Sequence, residues 1–110
     1  MALPVLDATE QRILGCLLEK QRTVPASYPL SLNSLRVACN QTSSRDPVMS
    51  LDDAAVETAA RELKGRGLLR VVWAGKGSRT LKYHQLLDEA LSLQPDERAL
   101  ITVLLLRGAQ

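Results

Sequence analysis

Few residues in this chain are of a type that does chemistry. It has one histidine, His84, and two cysteines, Cys16 and Cys39. A general base must sit within hydrogen-bond reach of the proton it takes, and a zinc site needs several converging nitrogen or sulfur ligands. Three scattered residues supply neither arrangement, and no Ser/His/Asp or Cys/His set stands out. The sequence therefore predicts a protein that is not an enzyme and holds neither a cofactor nor a metal. Cys16 and Cys39 fall among apolar residues and read as buried free thiols rather than as a disulfide. Gly75-Lys76-Gly77-Ser78 has the composition of a phosphate loop. Such a loop needs wider glycine spacing and a following helix whose N-terminus holds the anion, and a strand pattern comes next here instead.

Charge is the stronger chemical signal. Arg70, Lys76, Arg79 and Lys82 lie in one short stretch without an acid. A hairpin so charged suits phosphates or a minor groove. Cations on an edge strand also serve simply to keep it from pairing with other chains. Arg45, beside Asn40 and Gln41, adds a further polar contact from a connector. The outward positions of the helix before the hairpin include Asp53, Glu57, Thr58, Arg61 and Lys64, so the end that would enter a major groove is acidic. Like charge opposes phosphate binding. The expected phosphate contacts are thus Arg45, Arg61, Lys76, Arg79 and Lys82, led by the hairpin rather than by base reading from the helix.

Pattern supplies the rods and strands that carry these residues. Ser50 reads as an N-cap with Asp53 three residues on, and Val56, Ala59, Ala60 and Leu63 form one apolar helical stripe. Gly65 and Gly67 end that helix. Leu68 to Trp73 reads as a strand, Ala74 to Ser78 as a turn, and Arg79 to Tyr83 as the returning strand. Leu81 and Tyr83 fall on one face of it, Thr80 and Lys82 on the other. Earlier in the chain, Asp7 and Glu10 pair as a cap for a first helix. Its buried face is Ile13, Leu14, Leu17 and Leu18, and its wet face Arg12, Glu19 and Lys20. Pro25 and Pro29 punctuate the segment after that helix, and Pro29-Leu30 is placed to join the hairpin as a third strand. Ser31 caps a second helix carrying Leu32, Leu35, Ala38 and Cys39. The connector from Asn40 to Met49 is polar, offers nothing to a core, and exceeds the ~3–4-residue turn of a simple helix-turn-helix.

Composition sets outer bounds. The chain has 110 residues, 45% apolar, with no Phe, so an aliphatic core dominated by leucine is expected. A net charge of +2 is too small to argue a partner by itself. There is no signal-peptide pattern and no run of the ~20 apolar residues a membrane span requires. A cytoplasmic location and no membrane partner are the expectations.

Leu86, Leu87, Ala90 and Leu91 mark a short helix, and Gln94-Pro95 opens a last one. That last helix repeats the first. Glu10, Ile13, Leu14, Cys16, Leu17, Leu18 and Lys20 fall opposite Glu97, Leu100, Ile101, Val103, Leu104, Leu105 and Arg107. With Leu106 added, almost no polar face is left, and a helix apolar all round must be covered. It is expected to pack on the preceding unit, on a second chain, or on residues beyond this chain.

Several runs together carry a family resemblance: Leu17-Leu18-Glu19-Lys20-Gln21, Tyr28-Pro29-Leu30-Ser31-Leu32-Asn33, Cys39-Asn40-Gln41 and Arg45-Asp46-Pro47-Val48-Met49. Arg66-Gly67-Leu68, Gly77-Ser78-Arg79 and Leu104-Leu105-Leu106-Arg107-Gly108 extend it over essentially the whole chain. The sequence resembles the YceH-like proteins, a bacterial family without an assigned function. The resemblance implies two tandem winged-helix domains in a full-length member, in agreement with the repeat, and it supplies no catalytic residue and no ligand.

The expected fold is α+β, a winged helix-turn-helix: a three-helix core with a small antiparallel β-hairpin wing. Residues 1–92 would form that domain. Residues 93–110 would be the first helix of a second, incomplete winged-helix domain. Two functions fit. One is a DNA-binding or transcription-regulatory protein that contacts double-stranded DNA phosphates through its wing and forms a homo-oligomer through the apolar helix Pro95–Arg107. The other is a protein-interaction or dimerisation module without DNA binding, which suits the acidic helix face, the small net charge and the apolar last helix.

Overall fold

The structure is a computed structural model and describes residues 4–73 and 80–107. Over those residues the chain is α+β, with five α-helices and one small antiparallel sheet. The order is α1 (Ala8–Thr23), β1 (Leu30–Ser31), α2 (Leu32–Cys39), α3 (Asp53–Gly65), β2 (Leu69–Trp73), β3 (Leu81–Gln85), α4 (Leu87–Leu91) and α5 (Pro95–Arg107), with one 3-10 turn, Pro25–Ser27, before β1.

Local chemistry explains the starts and stops. Asp7 caps α1 and exchanges two bonds with Glu10, whose amide donates to Asp7 Oδ1 at 2.8 Å while Glu10 Oε1 accepts from the Asp7 amide at 3.0 Å. Ser31 caps α2 by accepting from the Ser34 amide. Gly67, at φ 75°, makes the turn from α3 into β2, a conformation that costs a side-chain-bearing residue more than glycine.

The start of α3 departs from expectation. Asp52, not Ser50, is its N-cap, accepting from the Ala55 amide at 2.8 Å. The reason lies one residue earlier. The Asn40 side chain grips the Leu51 backbone at both ends, donating to its carbonyl and accepting from its amide, each at 2.8 Å. With both groups engaged, Leu51 stays outside the helix.

The sheet order is β1-β3-β2, all antiparallel. Leu30 faces Tyr83 and Ser31 faces Lys82, so the short extended piece does join as a third strand. The returning strand runs to Gln85, two residues past its expected end. One aliphatic core lies between the helices and the inner face of the sheet. Ile13, Leu14, Leu17, Leu35, Val56, Leu63, Leu69 and Leu87 are all buried in it.

Two expectations about polar residues are corrected. Periodicity puts Arg12 on the wet face of α1, yet it is 1% exposed. Its guanidinium donates to the carbonyls of Cys39, at 2.9 Å, and of Pro47. The connector, expected to add nothing to the core, folds back over α1 and covers that face. Arg45 at its centre is buried as well. Helical periodicity registers neither event, because the covering segment comes from elsewhere in the chain.

Helix α5 packs along α1. A Cβ on Gly15 would lie 2.7 Å from Leu106 Cδ2 and 3.1 Å from Leu105 Cβ, so the absent side chain is what lets the two helices approach so closely. The Asp46 amide also donates to the Leu106 carbonyl at 2.9 Å, tying the connector to the end of α5. Of the three coverings expected for α5, the preceding unit is the one observed, and it is partial. Leu100 remains 60% and Val103 49% exposed. Among the described residues no helix is long and apolar enough to cross a membrane.

Candidate nucleic-acid interface

The β2–β3 ribbon sorts its side chains by face. Opposed residues in an antiparallel pair share a face, and alternate residues along each strand return to it. Leu69 with Gln85, Val71 with Tyr83 and Trp73 with Leu81 form the inner face. Arg70 with His84 and Val72 with Lys82 form the outer one. The outer face thus presents two cations, Arg70 exposed and Lys82 half-buried.

A polar cluster fixes the base of the ribbon. The Tyr28 hydroxyl accepts from the Gln85 amide at 2.8 Å and shares a hydrogen bond with His84 Nδ1, also at 2.8 Å. The two rings meet edge-on, with centroids 5.1 Å apart. Burial pushes the Tyr28 phenol well above its ordinary value, so it keeps its proton. The buried Gln85 side chain donates to Gln21 Oε1 at 2.8 Å and accepts from the Asp88 amide at 3.2 Å. His84 is therefore part of the ribbon's anchorage.

Helix α3 lies beside the ribbon's inner face. Burial raises the Tyr83 phenol, and the charges of Glu57 and Arg61 act on it from α3. The acids expected to oppose phosphate carry counter-charges. Asp53 Oδ1 is 2.8 Å from Arg36 Nε on α2, and Glu57 Oε1 is 2.9 Å from Arg61 Nη2. Exposed pairs of this kind add little stability, but each cancels a charge that would repel DNA. The same pairing occupies Arg61.

The nominated residues thus separate. Lys82 stands on the ribbon's outer face, and Arg61 is exposed on α3 but paired. Lys76 and Arg79 lie outside the described residues. Arg45 is in a different situation. Its side chain is fully buried, its Nη1 and Nη2 reach both Glu19 carboxylate oxygens at 3.1 and 2.8 Å, and its Nε donates to the Ala38 carbonyl at 3.0 Å. Nothing of the guanidinium faces outward, so its expected phosphate contact is withdrawn. Burial alone would raise the Glu19 carboxyl; the hydrogen bonds and charges of Arg45 and Lys20 outweigh it and hold the group below its ordinary value.

The thiols also sit in the core. Cys16 and Cys39 are free and buried. Their mutual interaction lowers Cys16, with Arg45 and Arg12 helping and burial opposing, and it raises Cys39. Among the described residues no group of three or more His, Cys, Asp or Glu is placed to hold a metal ion.

Sequence reasoning counts Arg70 among the hairpin's basic residues without nominating it, and it does not single out Trp73. The signal for both is strand alternation from Leu69 to Trp73, which puts Arg70 and Trp73 on opposite faces.

These observations define a small α+β protein whose three-stranded sheet carries cations on its outer face. The chain belongs to the family described as "Protein of unknown function, DUF480", whose profile matches residues 6–110. It is 51% identical over 105 residues to a UPF0502 protein of Pseudomonas syringae pv. tomato, covering 96% of this chain and 46% of that protein. Its identity to UPF0502 protein YceH of Escherichia fergusonii is 51% over 109 residues, covering 96% and 50%. The chain spans about half the length of these relatives.

Proposed function

We propose that this chain is a winged helix-turn-helix unit that binds double-stranded DNA through its phosphates, led by the β2–β3 ribbon. The observation that carries the reading is the sorting of that ribbon. Arg70 and Lys82 stand on the face turned away from the core, and no carboxylate occurs between residues 69 and 85. Three helices followed by a ribbon, with β1 as third strand, support the winged-helix reading. The contact set is Arg70 and Lys82, with Lys76 and Arg79 between them in sequence and Arg61 at the margin. A DNA-linked regulatory role in the cytoplasm follows from this reading.

The test is anisotropy of a labelled duplex at two salt concentrations. Each neutralised phosphate adds about −0.9 to the slope of log affinity against log salt. Engagement of Arg70, Lys76, Arg79 and Lys82 would lower affinity about a hundredfold between ~50 and ~200 mM salt. The pair Arg70→Glu and Lys82→Glu should abolish retention. Unchanged retention, or none by the wild type at low salt, refutes the reading.

A second reading has its own observation. Leu100 and Val103 on α5 are exposed, whereas their repeat counterparts on α1, Ile13 and Cys16, are fully buried. Helix α5 therefore carries a core pattern with its outer part uncovered. That suits a protein-interaction module, in which α5 opens a second winged-helix unit or seats a second copy of the chain. Sedimentation of wild type beside Leu100→Lys tests the second copy: equal masses would remove it.

A further inference from the structure

Arg12 is a buried cation bonded to carbonyls alone. Its Nη1 and Nη2 donate to the carbonyls of Cys39 and Pro47, and its Nε, equally buried, has no hydrogen-bond partner. Arg45 lies close by and bonds the Ala38 carbonyl, next to Cys39 in sequence. Among the described residues, the carboxylate bonded here is Glu19, which Arg45 and Lys20 hold between them. Two buried guanidiniums against that carboxylate leave a positive excess, and an uncompensated buried charge is costly.

The group placed to balance the excess is a thiol. Cys16 stands one helical turn after Arg12 and one before Glu19, so the three share one side of α1. A guanidinium has five N–H donors, and four hydrogen bonds run from Arg45 to Ala38, Ser44 and Glu19. The Arg45 guanidinium also hydrogen-bonds the Cys16 sulfur, and so does the Cys39 thiol. The Cys39 hydrogen bond holds Cys16 below the ordinary thiol value, with Arg45 and Arg12 helping and burial opposing, while Cys39 is raised and keeps its proton. A thiolate touching a protonated thiol is the pair from which a disulfide forms.

We infer that Cys16 and Cys39 are a peroxide-responsive dithiol that hydrogen peroxide closes to a disulfide. The Cys16 thiolate attacks one peroxide oxygen, the O–O bond breaks and hydroxide leaves, giving the sulfenic acid. The Cys39 sulfur then attacks the Cys16 sulfur, the S–O bond breaks, and the Cys39 proton leaves with the hydroxyl as water. The sulfurs lose the two electrons that the peroxide gains. Both thiols are buried, and peroxide, little larger than water, enters when the polar connector over α1 opens locally. The disulfide carries no charge, so Arg12 and Arg45 lose an anion and the connector they hold is released.

Thiolate absorbance of the full chain at neutral pH should correspond to about one thiolate, vanish in Cys16→Ser and persist in Cys39→Ser, whose hydroxyl still donates. Hydrogen peroxide should remove two hydrogens by mass and link Cys16 to Cys39. Arg12→Gln should slow that reaction about tenfold, and Arg12→Lys should restore part of the rate. Trypsin should cut after Arg45 faster in the oxidised protein than in the reduced one. A wild type without thiolate at neutral pH, or a folded chain that peroxide leaves as two thiols, would overturn the inference. A disulfide with unchanged cutting after Arg45 would overturn its coupling to the connector.

Discussion

Arg45 Nη2 lies 2.8 Å from Glu19 Oε1, and the same guanidinium holds the Ala38 carbonyl through Nε at 3.0 Å. One side chain thus ties the middle of the connector to α1 and to the end of α2. Beside the Arg12–Pro47 and Asp46–Leu106 bonds, this tie helps hold the connector to one path over the core.

Removing that tie should be costly. Arg45→Met leaves the half-buried Glu19 carboxylate with Lys20 alone, 3.3 Å away, and losing the charged hydrogen bonds from Arg45 should cost about 2 kcal/mol. Urea unfolding of the variant beside wild type measures it. A loss below ~1 kcal/mol would show that the connector is held by other contacts.

The same pair sets a pH dependence. The folded Glu19 carboxyl sits below its ordinary value of 4.5, so as pH falls the unfolded chain takes up this proton first. The stability it contributes is present above that ordinary value and is lost as pH falls through the folded one. Stability measured across the acid range should decline, and Glu19→Gln should flatten this part of the decline. An unchanged acid limb in the variant would assign the effect to other carboxylates.

Gly15 tests the seating of α5. An alanine there gains helix propensity, by about 1 kcal/mol, but its Cβ meets Leu106 Cγ at 2.9 Å as well as the mobile Cδ2. Overpacking of this kind costs about 1–3 kcal/mol, so Gly15→Ala should come out destabilising or neutral. Gly15→Leu should dislodge α5 and speed proteolysis between α4 and α5. Wild-type protease resistance in Gly15→Leu would mean that α5 does not need this approach.

The start of α3 gives a sharp comparison. Asp52→Ala removes the cap on the Ala55 amide and should cost about 1 kcal/mol, whereas Ser50→Ala should cost almost nothing. Thermal melts of the two variants distinguish them, and the reverse order would restore Ser50 as the cap.

For DNA, Lys82→Glu should weaken duplex binding more than Arg61→Glu. Lys82 belongs to an outer face without acids, while Arg61 is already paired with Glu57 at 2.9 Å. Anisotropy at one low salt concentration decides it. Equal losses would bring α3 into the interface alongside the ribbon.

Much of this architecture is local and was therefore legible in the order of residues. The Asp7–Glu10 capping box, the Ser31 cap, the glycine stop after Leu63 and the alternation that pairs Leu81 and Tyr83 with β2 all act over a few positions. Propensity, capping and period are encoded at that range. The roles of Arg12 and Arg45 were not legible. Both look like solvated cations until the connector is laid over α1, and burial by a segment ~30 positions away leaves no periodic trace. Asn40 shows the same limit, since its grip on Leu51 moved the start of α3 by two residues. Which hairpin cations face outward depended on register, and how far the apolar inner face outruns the core depended on where α3 stops covering it. The chain alone determined which rods and ribbons form, because those are contests between neighbours. Three-dimensional packing alone decided which charges are spent inside and which remain for a partner, because a charge is buried only when distant segments close over it.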